Sequence, residues 1–267
     1  MDEHFTSKLE GVKLDRPDGA ERPLRPDLLT GKEAGRGYEA TVWKAALEYP
    51  GFERLIPGFV FKRPNFGDAV PEVQIEASVR KSLEMWGALQ DVNARRAAAL
   101  QPGFHLPSTV RGLERGRVSG LLMTDLSEDG KLRLFDTKNL YLIEGRLFSR
   151  VEWRKVRDAI EADAALARES TMMLGVEAAQ PTPGYEKKLT SLDPWLIAVA
   201  DDGSAKVYLA DINNLARIFS EEEVRNNPAR CEAICAEWEL QVHRDLDKIE
   251  QTMFFTDDAA EDLKAFG

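Results

Sequence analysis

The chain has 267 residues, 36 basic against 46 acidic side chains and a formal net charge of −10. That length holds one large domain or two smaller lobes, and with 43% apolar residues it can bury a sizeable core. A global field of this sign repels nucleic acid and anionic lipid, so neither is expected as a partner, although a local basic pocket for a phosphate remains compatible with it. No window approaches the length of apolar chain that spans a bilayer. The first residues have no cationic run followed by an apolar stretch, so no secretory signal is expected. Two cysteines, Cys231 and Cys235, are too few for a disulfide framework. They are expected as reduced, buried small hydrophobes, and the composition fits a cytoplasmic protein.

Residues 1–27 are polar and carry Pro17, Pro23 and Pro26, which predicts an extended or disordered arm. A β-like region follows from Leu28 to Lys62 and contains the glycines Gly35 and Gly37. Residues 71–100 predict a helix, with Val79, Leu83 and Trp86 at helical spacing. Pro102, Gly103 and Pro107 break it. Thr109–Leu113 and Val118–Met123 predict two short strands, and Leu126–Lys131 a loop. Residues 151–175 form an amphipathic helical pattern, ended by Pro181, Pro183 and Gly184. Leu196–Ala200 and Lys206–Ala210 flank Asp201-Asp-Gly-Ser and predict a hairpin. A last helix is predicted from Pro228 to Phe254, with the stripe Ile234, Trp238, Val242, Leu246, Ile249 and Met253. Strands come early and helices late, which predicts an α+β fold in two lobes.

Four features could carry chemistry. In Gly35-Arg-Gly37-Tyr-Glu-Ala40-Thr-Val42, glycines would let backbone N–H groups approach a phosphate and Val42 would cover an adenine ring. The same residues also suit a ligand-free hairpin turn. Lys62 ends the apolar run Phe59-Val-Phe and shares a strand face with Val60, so its ammonium either enters a cleft or snorkels to water. Glu76 precedes Val79 by three and Leu83 by seven, which places it on its helix's apolar face or at the edge of that face. A carboxylate on the face needs a cationic partner. Lys62 is the expected partner on that reading, with Glu72 as the alternative acid one turn earlier. Asp211 ends the apolar run Tyr208-Leu-Ala and, with Asn213 and Asn214, offers hard oxygens to a divalent metal; a turn Asp is the alternative.

Taken in order, these pieces resemble the protein kinase fold, including its bacterial small-molecule kinase relatives. Gly35-x-Gly37-x-x-Ala40-x-Val42 is similar to the glycine-rich loop, with alanine in place of the third glycine. Val60-Phe-Lys62 resembles the third-strand lysine motif, and Glu76 the acid that pairs with that lysine. Gly120–Gly130 resembles the fifth strand and hinge, with Met123 as gatekeeper and the backbone of Thr124 to Leu126 against the adenine edge. Asp211-Ile-Asn213 resembles the metal-binding motif after the hairpin.

The resemblance implies a β-rich N-lobe at 28–126, a reduced helical C-lobe at 127–267, and ATP and Mg²⁺ in the cleft between them. Phosphate would pass to a protein or small-molecule hydroxyl. In that frame Gly35, Gly37, Ala40, Val42, Lys62, Glu76, Met123, Thr124 and Leu126 bind nucleotide. Asp211 and Asn213 hold the metal, and Lys62 and Asp193 serve catalysis.

The departures are as specific as the matches. Counting back from Ile197, the slots for the catalytic-loop Asp and Asn fall on Ser191 and Leu196, neither of which can serve. Asp193 is the nearest acid. His243-Arg244-Asp245 spells the loop's signature, but it lies after Asp211 inside a helix, with Glu250 where Asn is required, and reads as a charged surface. A pseudokinase used as a binding module, and an unrelated α+β interaction protein, are the alternatives.

Overall fold

The computed structural model describes residues 28–36, 40–49, 52–64, 72–114, 117–137, 140, 148–172, 192–210, 219 and 221–265. The expected arm at 1–27, Gly37, Pro71, the breaks at 181–184 and the metal candidates Asp211, Asn213 and Asn214 lie outside them. The fold is α+β, with a β-sheet N-terminal region and a helical C-terminal part. Its contacts divide it into two units. Residues to Leu83 and Ser108–Asp125 form the first, and Glu84–Pro107 with everything from Leu126 onward the second. The helix expected wholly within the first lobe is thereby shared.

The first unit is built on one antiparallel sheet in the order β1-β2-β3-β5-β4. Its strands are β1 (Leu28–Arg36), β2 (Ala40–Tyr49), β3 (Phe52–Pro64), β4 (Thr109–Glu114) and β5 (Arg117–Thr124). Strand alternation sorts its residues by face. Val42 pairs with Lys62, Lys44 with Val60, Val60 with Met123 and Lys62 with Leu121, so these side chains share one face. Helix α1 (Glu72–Ala98) covers part of that face: Val79 is buried with Leu121 and Met123, and Ile75, Leu83 and Val60 pack around them.

Phe61 points to the opposite face and is fully buried. It lies over Gly112 and Gly120, whose missing side chains make room for its ring. Glycine is required at both positions by this close approach, because a Cβ on either would overlap the aromatic ring.

The second unit joins a three-stranded antiparallel sheet to helices. β6 (Arg133–Asp136), β7 (Trp195–Val199) and β8 (Ala205–Leu209) lie in that order. The hairpin turns at Gly203, whose φ of 84° is a conformation that glycine adopts without strain. Asp202 stabilises the turn by accepting from the backbone N–H and the hydroxyl of Ser204.

Helix α2 (Arg150–Glu169) starts where the Ser149 hydroxyl accepts from the N–H of Glu152, a side-chain cap. It ends at Ser170, several residues before the expected 175. Its stripe Trp153, Val156, Ile160, Ala164 and Ala167 is buried against β7, β8 and the long helix α4 (Pro228–Ala265), which follows the short helix α3 (Glu221–Asn226). Trp195 and Trp238 stack at 6.5 Å between ring centroids inside this core. Arg157 ties α2 to α4 by reaching Asp247 and Glu250 at 2.7 Å each, and Glu161 at 2.8 Å on its own helix. Cys231 and Cys235 are free and buried, as expected, and burial pushes the Cys235 thiol up to about 11.

Asp245 corrects an expectation. It is 1% exposed, not part of a charged surface. The buried stripe of α4 is wide enough to enclose it, and the carboxylate is satisfied along its own helix by Gln241 at 2.9 Å and Lys248 at 3.0 Å. Among the described residues, no helix is long and apolar enough to cross a membrane.

Candidate functional site

Each unit carries part of the candidate set. In the first, Val42, Lys62 and Met123 stand on the sheet face that also carries the start of α1. Met123 is buried, while Val42 and Lys62 are half-buried. Ala40 is buried at the start of β2, and Gly35 is exposed on β1 opposite Val42, beside an irregularity in the β1–β2 register. A Cβ at Gly35 would meet nothing within 4 Å. Packing within the chain therefore does not demand glycine there.

Glu76 lies exposed on α1, and among the described residues it makes no ion pair with Lys62. The helix buries a stripe through Val79 and Ser82, flanked by Ile75 and Leu83. Glu76 sits at the rim of that stripe, where a carboxylate stays in water without a partner. Of the two placements that the spacing allows, Glu76 takes the edge, and the expected pairing with Lys62 is not made.

Lys44, on the same sheet face, finds a carboxylate. It donates to Asp125, whose side chain is 3% exposed while that of Lys44 is 27% exposed. Nothing in the sequence singled out this pair, because the two residues are 81 positions apart and Lys44 reads as an ordinary strand lysine. The hinge-like stretch is also anchored: the N–H of Thr124 donates to Ser108 and that of Asp125 to Gly58. Those two donors are spent within the sheet. Leu126, buried, begins the second unit.

In the second unit Asp193 is buried, two residues before the buried Trp195. The N–H of Ala210 donates to the carbonyl of Pro194 at 2.9 Å, which ties the residue before Asp211 to the one after Asp193. Both segments thus leave the same end of the β7–β8 hairpin. Thr137 donates its hydroxyl to the Trp195 carbonyl at 2.7 Å, and Leu209 its N–H to the His105 carbonyl at 2.9 Å, so this end is braced on three sides. Among the described residues, no group of three acidic, histidine or cysteine side chains is placed to hold a metal.

Asp163 on α2 is a half-buried acid that the sequence pattern did not mark. Its carboxylate accepts from the Trp195 indole N–H at 3.0 Å. Burial pushes its pKa from 3.8 up to about 6, against the opposing effects of that hydrogen bond and of His105. A carboxyl whose folded pKa is raised adds stability that is complete below its unfolded value and is lost as pH rises through the folded one. Asp163→Asn keeps an acceptor for the indole and removes the charge. We expect the variant to gain on the order of 2 kcal/mol over the parent at pH 7 to 8. The gain should shrink between pH 6 and 4 and vanish below that. Urea denaturation at several pH values measures it, and a gain independent of pH would refute the assignment.

No family model matches the chain, and no curated protein matches it. Among solved structures it is similar to a Helicobacter pylori proinflammatory kinase, CtkA. The identity is 11%, the match covers 85% of this chain and 84% of that one, and the TM-score is 0.43.

Proposed function

We propose that the chain is a kinase-like protein whose first unit binds ATP with Mg²⁺ on the sheet face carrying Val42, Lys62 and Met123. One observation supports this above the rest: three residues that the sequence marks for three different nucleotide contacts fall on a single face, in a sheet ordered β1-β2-β3-β5-β4, with the helix that follows β3 packed on part of that face. On this reading the glycines Gly35 and Gly37 leave room for phosphates. The ammonium of Lys62 contacts those phosphates as a point charge. Val42, Ala40 and Met123 line the base, and Thr124 to Leu126 offer it backbone carbonyls, the N–H groups of Thr124 and Asp125 being engaged elsewhere. Asp211 and Asn213 hold the metal, whose charge would neutralise the phosphate oxygens. Asp193 accepts the proton of a protein or small-molecule hydroxyl. Phosphoryl transfer asks for positioning and charge neutralisation more than for covalent chemistry, so a sparse site can serve.

A second reading, a pseudokinase that binds without transferring phosphate, is favoured by two placements. Glu76 is exposed and unpaired with Lys62 among the described residues, and Asp193 is buried.

A thermal shift with ATP and Mg²⁺ tests the binding. Nucleotide at a hundred times its dissociation constant adds about 2.7 kcal/mol. Lys62→Met should lose most of that shift. Gly35→Ala should keep the parent's melting point without ligand, since its Cβ meets open space, yet weaken the nucleotide effect. No shift at millimolar nucleotide would overturn the proposal and leave an α+β interaction protein. Where binding is seen, ADP release abolished by Asp193→Ala selects the kinase reading, and absence of release in the parent selects the pseudokinase.

A further inference from the structure

A cavity of about 580 Å³ opens in the second unit, and none of the candidate nucleotide, metal or catalytic residues is among its described lining residues. Its walls come from one face of α1, the turn after α2 and the residues at α3. Arg95 and Arg225 stand on it as cations, and Ser170 and Thr171 present hydroxyls. Met172 and Phe219 supply apolar surface. Asp91 is the one acid among the described lining residues.

Two points give the cavity a chemical preference. Asp91 stands one helical turn before Arg95 on the cavity wall, yet no ion pair joins them. Arg96, Arg157 and Arg168 do reach carboxylates. Among the described residues, Arg95 and Arg225 have no ion-pair partner. In addition, the volume falls within the range of small-ligand sites, and the lining combines a few polar groups with apolar floor, as such sites do. Guanidinium groups with free donors match a carboxylate or phosphate in fork geometry. The apolar floor would hold the body to which that anion is attached.

We propose that this cavity binds a small organic anion with an aromatic or aliphatic body, its charged head held between Arg95 and Arg225. The site is independent of nucleotide binding.

Phenyl phosphate serves as the probe, titrated into the full-length protein bearing Lys62→Met so that the sheet face of the first unit contributes little. The signals to follow are the Met172 methyl and the Thr171 amide. We expect saturable shifts at both, and affinity reduced at least roughly tenfold by Arg95→Gln combined with Arg225→Gln. Both arginines are exposed, so the variant should fold, and an unchanged amide spectrum elsewhere checks that. Inorganic phosphate and phenol should each bind more weakly than the joined molecule. The proposal is overturned by no shift at millimolar probe, by equal affinity in the double variant, or by inorganic phosphate or phenol binding as tightly as phenyl phosphate. None of these outcomes bears on whether the first unit binds ATP.

Discussion

Replacing Lys44 by methionine should cost the first unit about 3 kcal/mol of stability. The lysine donates to Asp125, and the burial of the two partners is unequal: 3% of the carboxylate side is exposed against 27% of the lysine side. Removing the lysine strips a buried anion of a charged neighbour, and a desolvated charge is expensive when its compensation is cut. Removing the acid has a milder consequence, because the ammonium, 27% exposed, can move further into water on its flexible stem. Asp125→Asn should therefore cost only about 1 kcal/mol. The measurement is hydrogen exchange of the β2, β3 and β5 amides in the parent and the two variants. Equal losses would show that burial does not set the asymmetry.

The pair also bears on the candidate nucleotide face. Lys44 lies across from Val60, two residues along β2 from Val42, so its ammonium could otherwise compete with Lys62 for an anion. Lys44 is held on Asp125, and it is Lys62 that pairs directly with Val42 in the register.

Gly120→Ala should be about as damaging, near 3 kcal/mol. The added methyl would overlap the backbone oxygen of Lys62 and lie 2.9 Å from the Phe61 ring. A flexible side chain could give way, but a strand backbone held in a ladder on both sides cannot move without disturbing its neighbours. Phe61 is fully buried and has nowhere to retreat. The strand pushed aside is the one that carries Lys62, so on the proposed function nucleotide affinity should fall with stability. Gly35→Ala is the natural control, since its new methyl meets nothing. A melting temperature for Gly120→Ala equal to that of Gly35→Ala would refute the close-approach argument.

The strands and helices were largely legible in the chain because their signals are local. Alternation and turn chemistry marked β4, β5 and the β7–β8 hairpin, and Gly203 at positive φ is where Asp201-Asp-Gly-Ser placed the turn. Helical spacing marked α1, α2 and α4 to within a few residues at most of their ends, although α4 runs on to Ala265, past the expected Phe254. β6 and α3 were missed: four and six residues are too few to show a period.

Side-chain environment was another matter. The spacing of Glu76 and of Asp245 places each within reach of a hydrophobic stripe, and a helical wheel does not say how wide the covering surface is. The neighbours decide that, and they expose Glu76 while enclosing Asp245. The Lys44–Asp125 pair, the room that Gly112 and Gly120 make for Phe61, and the division of α1 between two units are likewise set by residues far apart in the chain. What the sequence determined by itself is the succession of elements and the face on which each strand residue stands, because both follow from backbone periodicity. Which charges are buried, and beside what, was decided only by tertiary structure, since desolvation depends on the atoms that arrive from elsewhere.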